Sequence, residues 1–313
     1  MTDKESKRNR ILAVILLFVF FIGGQQLTKL ELSRRAAKAA DAYPISRDVF
    51  LLDTYCSLTT YEGGGKEALS AAVEALNKYD DMINFSKEGS DIYRINHRET
   101  SEVDISEETA EILLLEREFC ELTGGVLEPA IKPVTELWDF KEEKKVPDEK
   151  ELKSALSKVK SLKWDVSDGK FIAYDADVRL DVGASAKGFI ADKIKEVLIE
   201  NGVTSGIINL GGNVLCIGHK PDGGLFSVAV YDPEHEDSYA FSMEIDDTSV
   251  VTAGAYERYF IEDGIRYHHI IDPSTGFPAQ TGLESVTIVG PESGICDCLS
   301  TSLFIMGEER GKA

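Results

Sequence analysis

The chain has 313 residues, enough for one large domain or two small ones, and 43% of them are hydrophobic, ample for a core. Its 34 basic and 55 acidic residues give a formal charge of −21, a field that repels nucleic acid and argues against a polyanionic partner. A small anionic ligand would need local help, from a metal ion or a helix end.

The first 30 residues differ in kind from the rest. Lys4, Lys7, Arg8 and Arg10 precede an unbroken apolar run from Ile11 to Ile22. That run is nearer a signal-peptide core than the roughly 20 residues of a full span. No small-x-small site follows before Ala37-Lys38-Ala39, which favours an uncleaved anchor over a cleaved leader. The expected organisation is a cytoplasmic basic tail (1–10), a signal-anchor (11–30), a stalk (31–44) closed by Pro44, and one extracytoplasmic domain (45–313).

Beyond the stalk, Asp48 to Tyr61 is rich in β-branched and aromatic residues and ends at a glycine run, which predicts a strand or two. Apolar residues at helical spacing follow from Lys66 to Ile83, and then a loop leads to a short helical turn capped by Ser90. Ser106 caps a longer helix to Leu122, with acids in its first turn and glycines 124 and 125 past its end. In VLEPAIKPVTELWDF, Pro129 and Pro133 argue against regular structure, and Trp138 and Phe140 are expected to pack this loop onto the body. A capping box at Asp148 and Glu151 opens another helix, reaching Val159.

A hairpin from Trp164 to Tyr174 turns at Asp168-Gly169, and a short strand over 178–182 is expected to enter a glycine-punctuated turn and a helix ending at Gly202. Two buried strands flank Gly211-Gly212. FSVAVYDP and YAFSMEI continue as strands, and Asp263-Gly264 marks the strongest two-residue hairpin. The last helix is expected to open at Ser293. Hairpins dominate and helices fall in separate blocks, so the fold class is α+β with largely antiparallel sheets. The five cysteines (56, 120, 216, 296 and 298) make neither a disulfide framework nor a zinc pattern and read as buried small residues.

Three stretches carry chemistry. LDVGASAKGFIAD aims backbone N–H groups and a helix N-terminus at one point, with Lys187 in reach, as a phosphate site requires; it matches neither GxxxxGK[ST] nor GxGxxG, and an ordinary connector has the same look. In RYHHIIDPSTGFPA, His268 and His269 point to opposite strand faces, either as one exposed and one core histidine or with one acting as a base. In CDCLSTSLFIMG, Asp297 and Thr301 lie four apart on one helix face, as two oxygen ligands of a hard cation or as solvated surface.

These stretches, in this order with IINLGGN and TAGAYERYF between them, resemble the FAD:protein FMN transferase (ApbE) family, and VLEPAIKPVTELWDF and FSKEGSDIYRIN resemble its earlier motifs. The resemblance implies a membrane-tethered, Mg²⁺-dependent enzyme that cleaves FAD, releases AMP and attaches FMN to a Thr or Ser hydroxyl of an acceptor flavoprotein. It places the metal on Asp297, Thr301 and the backbone carbonyl of Ala184. FAD contacts fall on Asp181, Leu127, Glu128, Ser86 and Leu52, with Lys187 facing either the phosphate or an acid, and the base on His269. The chain departs from the family pattern at Asp53, where Gly is usual, at Glu128, where Asp is usual, and in ASAKG in place of GIAKG. The family also continues through more sheet after the metal helix, whereas this chain ends at Ala313. Two rival readings use the same residues: an FAD pyrophosphatase with water as the acceptor, and a flavin-binding protein without chemistry.

Overall fold

A computed structural model describes residues 44–313 apart from 234, 236 and 237; the expected tail and anchor, and the stalk up to Tyr43, lie outside the described residues. Residues Ser46–Ala313 form one compact unit. Among the described residues no helix is long and apolar enough to cross a membrane.

The first expected strand is two: β1 (Ile45–Leu51) and β2 (Thr54–Glu62). Leu52 and Asp53 between them both adopt positive φ, 55° and 58°. That region disfavours side chains, and the Leu52 N–H is held there by Asp80 Oδ1 at 3.0 Å. Helices α1 (Gly65–Ile83), α2 (Asp91–Asn96) and α3 (Glu107–Leu122) follow, with β3 (Glu102–Asp104) between the last two. Ser90 and Ser106 cap α2 and α3 as expected, accepting from the N–H groups of Tyr93 and Thr109.

The proline segment is more regular than expected. Pro129 opens a 3₁₀ turn (Pro129–Ile131), and Pro133 sits in the first turn of a short helix, α4 (Lys132–Thr135), where no intrahelical N–H is required of it. Trp138 donates from Nε1 to Gly276 O at 2.9 Å and stacks with Phe140, so this loop does pack onto the body. Next come α5 (Glu149–Ser157), capped by Asp148, and the hairpin β4 (Trp164–Ser167) and β5 (Lys170–Ala173), which with β3 makes a three-stranded sheet.

The strand expected over 178–182 does not form. Side chains from the α2 region take the place of a partner strand. Asn96 exchanges two hydrogen bonds with the Leu180 backbone, Arg98 donates to Val178 O, and Asp181 N donates to Pro129 O. With its polar groups met this way, the segment needs no ladder.

Then follow α6 (Ala186–Glu200), β6 (Ser205–Leu210), β7 (Asn213–Ile217), β8 (Phe226–Tyr231), β9 (Tyr239–Ile245), β10 (Ser249–Gly254), β11 (Tyr259–Glu262), β12 (Ile265–His268), β13 (Ser285–Gly290) and α7 (Ser293–Gly311). The main sheet has six strands in the order β1-β2-β6-β7-β10-β13. Its registered pairs are antiparallel, with Ile208 opposite Leu215 and Val251 opposite Ile288. Helices α6 and α7 pack on one face of this sheet, and α1 packs on α6. The β8–β9 hairpin closes the other face through Phe226, Val228 and Val230 on Cys216 and Val250. All five cysteines are free and buried.

Candidate active site

The turn before α6 enters under α7. Gly188 is obligatory at this crossing: a Cβ there would lie 2.2 Å from Ser293 O and 2.7 Å from Asp297 Cβ. The close approach lets Gly188 N–H donate to Asp297 Oδ2 at 2.8 Å. Asp297 is 4% exposed. Burial pushes its carboxyl above the ordinary carboxylate range, opposed by Lys187, the Gly188 N–H and Asn213. Ser293 is not the cap of α7, as the sequence suggests. Asp192 of α6 reaches across instead and accepts from the N–H groups of Ser293 and Gly294 at 2.9 and 2.8 Å.

Lys187 joins the separate stretches. Its charge acts on Asp297 of α7, on Glu257 after β10 and on His269 after β12. It makes no hydrogen bond or ion pair with a described residue, so its charge bears on two acids and an imidazole without being committed to one of them. Surrounding protein raises the Glu257 carboxyl, opposed by Lys187.

The two histidines divide as one core residue and one site residue. His268 is buried with Nε2 3.0 Å from Ala279 O and Nδ1 accepting from Ile270 N, which fixes a neutral ring. His269 is held to about 3, first by burial and then by the positive charges of Lys187 and Arg258. Its Nδ1 lies 3.4 Å from Arg258 O, an arrangement that puts the proton on Nδ1 and leaves Nε2 as the acceptor.

Thr301 lies one turn beyond Asp297 on α7, half-buried, with no hydrogen bond to a described residue. Ala184 packs against the buried cluster of Phe119, Leu127 and Cys298, the last on the same helix. The groups these residues present are a carboxyl, a hydroxyl and a backbone carbonyl, all hard oxygens, with the charge of Lys187 acting on the carboxyl. That chemistry fits a small hard cation which completes its shell with water or substrate oxygens. Among the described residues no three His, Cys, Asp or Glu side chains converge on a metal position, and a shell built on Asp297, Thr301 and the Ala184 carbonyl draws on only one such side chain.

The residues assigned to the nucleotide form a second group. Asp181 accepts from Thr135 Oγ1 at 2.7 Å and from Gly183 N at 3.1 Å, and Lys132 Nζ is 4.0 Å away. Lys132 lies 3.5 Å over the Phe85 ring, beside Ser86, which ties Ser86 and Asp181 to one wall. Leu52 reaches the site through its neighbour. Asp53 pairs with Arg258 at 3.1 Å and with Lys141, and its carbonyl accepts from Arg258 at 2.9 Å. Asp53, Lys141 and Arg258 border a cavity of about 490 Å³ also lined by Phe50, Phe140 and Glu257.

Two assigned side chains point elsewhere. Leu127 is buried against Phe119 and Cys298, and Glu128 turns inward to cap the 3₁₀ turn, accepting from Ala130 N at 2.9 Å beside Cys120. Burial raises its carboxyl. Five residues that line or support the site carry no assignment from sequence: Glu116, Lys132, Thr135, Glu257 and Arg258. The last two lie inside TAGAYERYF, a stretch singled out whole without a role for its charged residues.

An ammonium, a neutral imidazole and a buried carboxylate gathered at a helix N-terminus are the equipment of an enzyme that handles phosphoryl groups. The chain belongs to the ApbE family, whose profile matches residues 52–313. A relative from Treponema pallidum named FAD:protein FMN transferase is 33% identical over 291 residues, covering 86% of this chain and 80% of its own. One of the same name from Klebsiella pneumoniae is 32% identical, covering 79% and 78%. The ApbE protein of Thermotoga maritima superposes with a TM-score of 0.81 at 30% identity, covering 86% of this chain and 89% of its own. The Vibrio cholerae flavin transferase ApbE, at 24% identity and a TM-score of 0.78, supports the fold.

Proposed function

We propose that the protein is an FAD:protein FMN transferase dependent on a divalent cation, Mg²⁺, held by Asp297, Thr301 and the Ala184 carbonyl. The observation that carries the reading is the meeting of Asp297, Lys187 and the neutral His269 from three separate stretches of chain. When bound, the cation supplies positive charge for the phosphate oxygens, which a chain of charge −21 lacks overall.

The chain's own residues do the rest. The acceptor's Thr or Ser oxygen bonds to the FMN phosphorus, the phosphoanhydride P–O bond breaks and AMP leaves with that oxygen. His269 Nε2 takes the hydroxyl proton, while Nδ1 stays on Arg258 O and so holds the ring in place. A diphosphate beside His269 adds negative charge, which offsets Lys187 and Arg258 and raises the basicity of the ring when substrate is bound. Lys187 and the α6 N-terminus stabilise charge on the phosphate oxygens. Asp181, Thr135 and Lys132, with Phe85 and Ser86, form a wall for the nucleotide.

The apolar run after Lys4–Arg10 supports a single-pass anchor over 11–30, a stalk, and a catalytic domain from residue 45 on the extracytoplasmic side of the membrane. Carbonate-resistant membrane association of the full chain tests this, and a mature form starting near residue 40 in the supernatant refutes it.

The activity test mixes the protein with FAD, Mg²⁺ and an acceptor flavoprotein and reads the acceptor's intact mass. A gain of one FMN, abolished by EDTA, is expected. Release of FMN and AMP with no gain in acceptor mass overturns transfer in favour of hydrolysis.

A further inference from the structure

Ser185 occupies the N-cap of α6, where a serine hydroxyl ordinarily accepts from the N–H two or three residues on, yet it makes no capping bond. The hydroxyl is turned the other way and donates to Glu116 Oε1 at 2.6 Å. Gly188, three residues past the cap, gives its N–H to Asp297 instead. The serine and the aspartate are therefore rival acceptors for one donor, and Glu116 keeps the serine out of the competition.

Glu116 is 0% exposed on α3, and its second oxygen, Oε2, is buried without a partner. A carboxyl kept there at such a disadvantage is not explained by stability, since an apolar side chain of the same size would pack without an orphaned atom. Burial holds its carboxyl well above the ordinary carboxylate range.

We propose that Glu116 is a positioning residue for the cation site: by holding Ser185 Oγ it reserves the Gly188 N–H for Asp297 and so fixes the carboxylate's orientation. The inference rests on the reading of Asp297 as a cation ligand. Without Glu116 the serine rotates to cap its own helix, takes the Gly188 N–H and frees Asp297 to turn.

The test uses the full chain with Glu116→Gln, Glu116→Leu, Ser185→Ala and the Leu/Ala double variant. It reads Mg²⁺ affinity by calorimetry without FAD, and the Gly188 amide proton by NMR. Glu116→Gln keeps the acceptor for Ser185 and binds as wild type. Glu116→Leu binds about tenfold more weakly, the scale of one charge-assisted hydrogen bond, and its Gly188 amide shifts upfield. Ser185→Ala, which removes the competitor, retains affinity, and adding it to Glu116→Leu restores the loss. Equal Mg²⁺ affinity in Glu116→Leu with an unmoved amide overturns the proposal, as does a double variant no better than Glu116→Leu. If Glu116→Leu does not fold, weakened binding in Ser185→Ala overturns it, because the Ser185–Glu116 bond would then matter in itself. Wild-type protein that binds no Mg²⁺ defeats the cation reading instead, while the amide shift still decides whether Glu116 positions Asp297.

Discussion

Replacing Asp297 by Asn removes a charge while leaving an oxygen to accept from Gly188 N. The side chain is buried and supplies the only carboxylate in the proposed cation shell. Loss of one preorganised electrostatic group of this kind lowers kcat by about 10²–10³-fold. Cation linkage gives a second, independent magnitude. At a hundredfold excess over Kd, Mg²⁺ stabilises the wild type by about 2.7 kcal/mol, which raises the melting midpoint of a domain this size by about 5–10 °C. Asp297→Asn loses that shift.

The pH dependence of the cation-free protein follows from the direction of the Asp297 shift. Its folded pKa is raised, so the stability it contributes is present below its unfolded pKa, about 3.9, and is lost as pH rises through the folded value. Asn carries no such dependence, so cation-free Asp297→Asn melts at or above wild type at pH 8, and the gap closes toward pH 4. Scanning calorimetry with and without Mg²⁺, beside turnover of FAD, reads all three. A variant that keeps both turnover and the Mg²⁺-induced shift refutes the assignment; one that melts well below wild type without Mg²⁺ makes Asp297 a structural carboxylate.

His269 is expected to show no titration between pH 5.5 and 8 in the free protein, since its pKa lies near 3. Following the histidine Cε1–H resonances by NMR checks this, and a resonance titrating near 6.5 that vanishes in His269→Gln contradicts it. Gly188→Ala drives a Cβ to 2.2 Å from a backbone oxygen. It should cost about 1–3 kcal/mol, seen as a lower melting midpoint, and an unchanged melt would mean that α6 and α7 are free to separate. Asp53→Gly relieves a side chain at φ 58° and breaks exposed ion pairs worth about 0.2–1 kcal/mol each, leaving stability nearly unchanged. The freed Arg258 and Lys141 should lower the KM for FAD at low salt but not at high salt; a KM unaffected at either refutes a role for this clasp.

Local signals make the elements legible: Ser90 and Ser106 cap the helices the sequence assigns them, Ser293 being the exception, and the hairpin β11–β12 follows from Asp263-Gly264. The segment at 178–182 has the β-branched residues of a strand, but its hydrogen-bond partners are Asn96 and Arg98, some eighty residues away. Strands β10 and β13 escape sequence reading for a related reason. Their pairing supplies the edge of the main sheet, yet each is a short valine-rich run without a turn of its own to announce it. For the site, motif order proposes Asp297, Thr301 and His269, but nothing local shows that the charge of Lys187 bears on both Asp297 and His269.

Glu116 illustrates a signal that the sequence carries without announcing it. Thr109, Ile112, Leu113, Phe119 and Cys120 are the buried face of α3, and Glu116 falls on that face at helical spacing. A glutamate is almost never fully buried without a partner, so its position alone requires a polar group facing it from another element. The residue that meets it, Ser185, is one of those by which ASAKG departs from the family's GIAKG. Neither stands out alone, and a solitary acid on a helix reads as solvated surface. Taken as a pair, a buried acid and a serine where an isoleucine is usual, they place α3 beneath the α6 turn and make the cap of α6 a matter of competition between two acceptors.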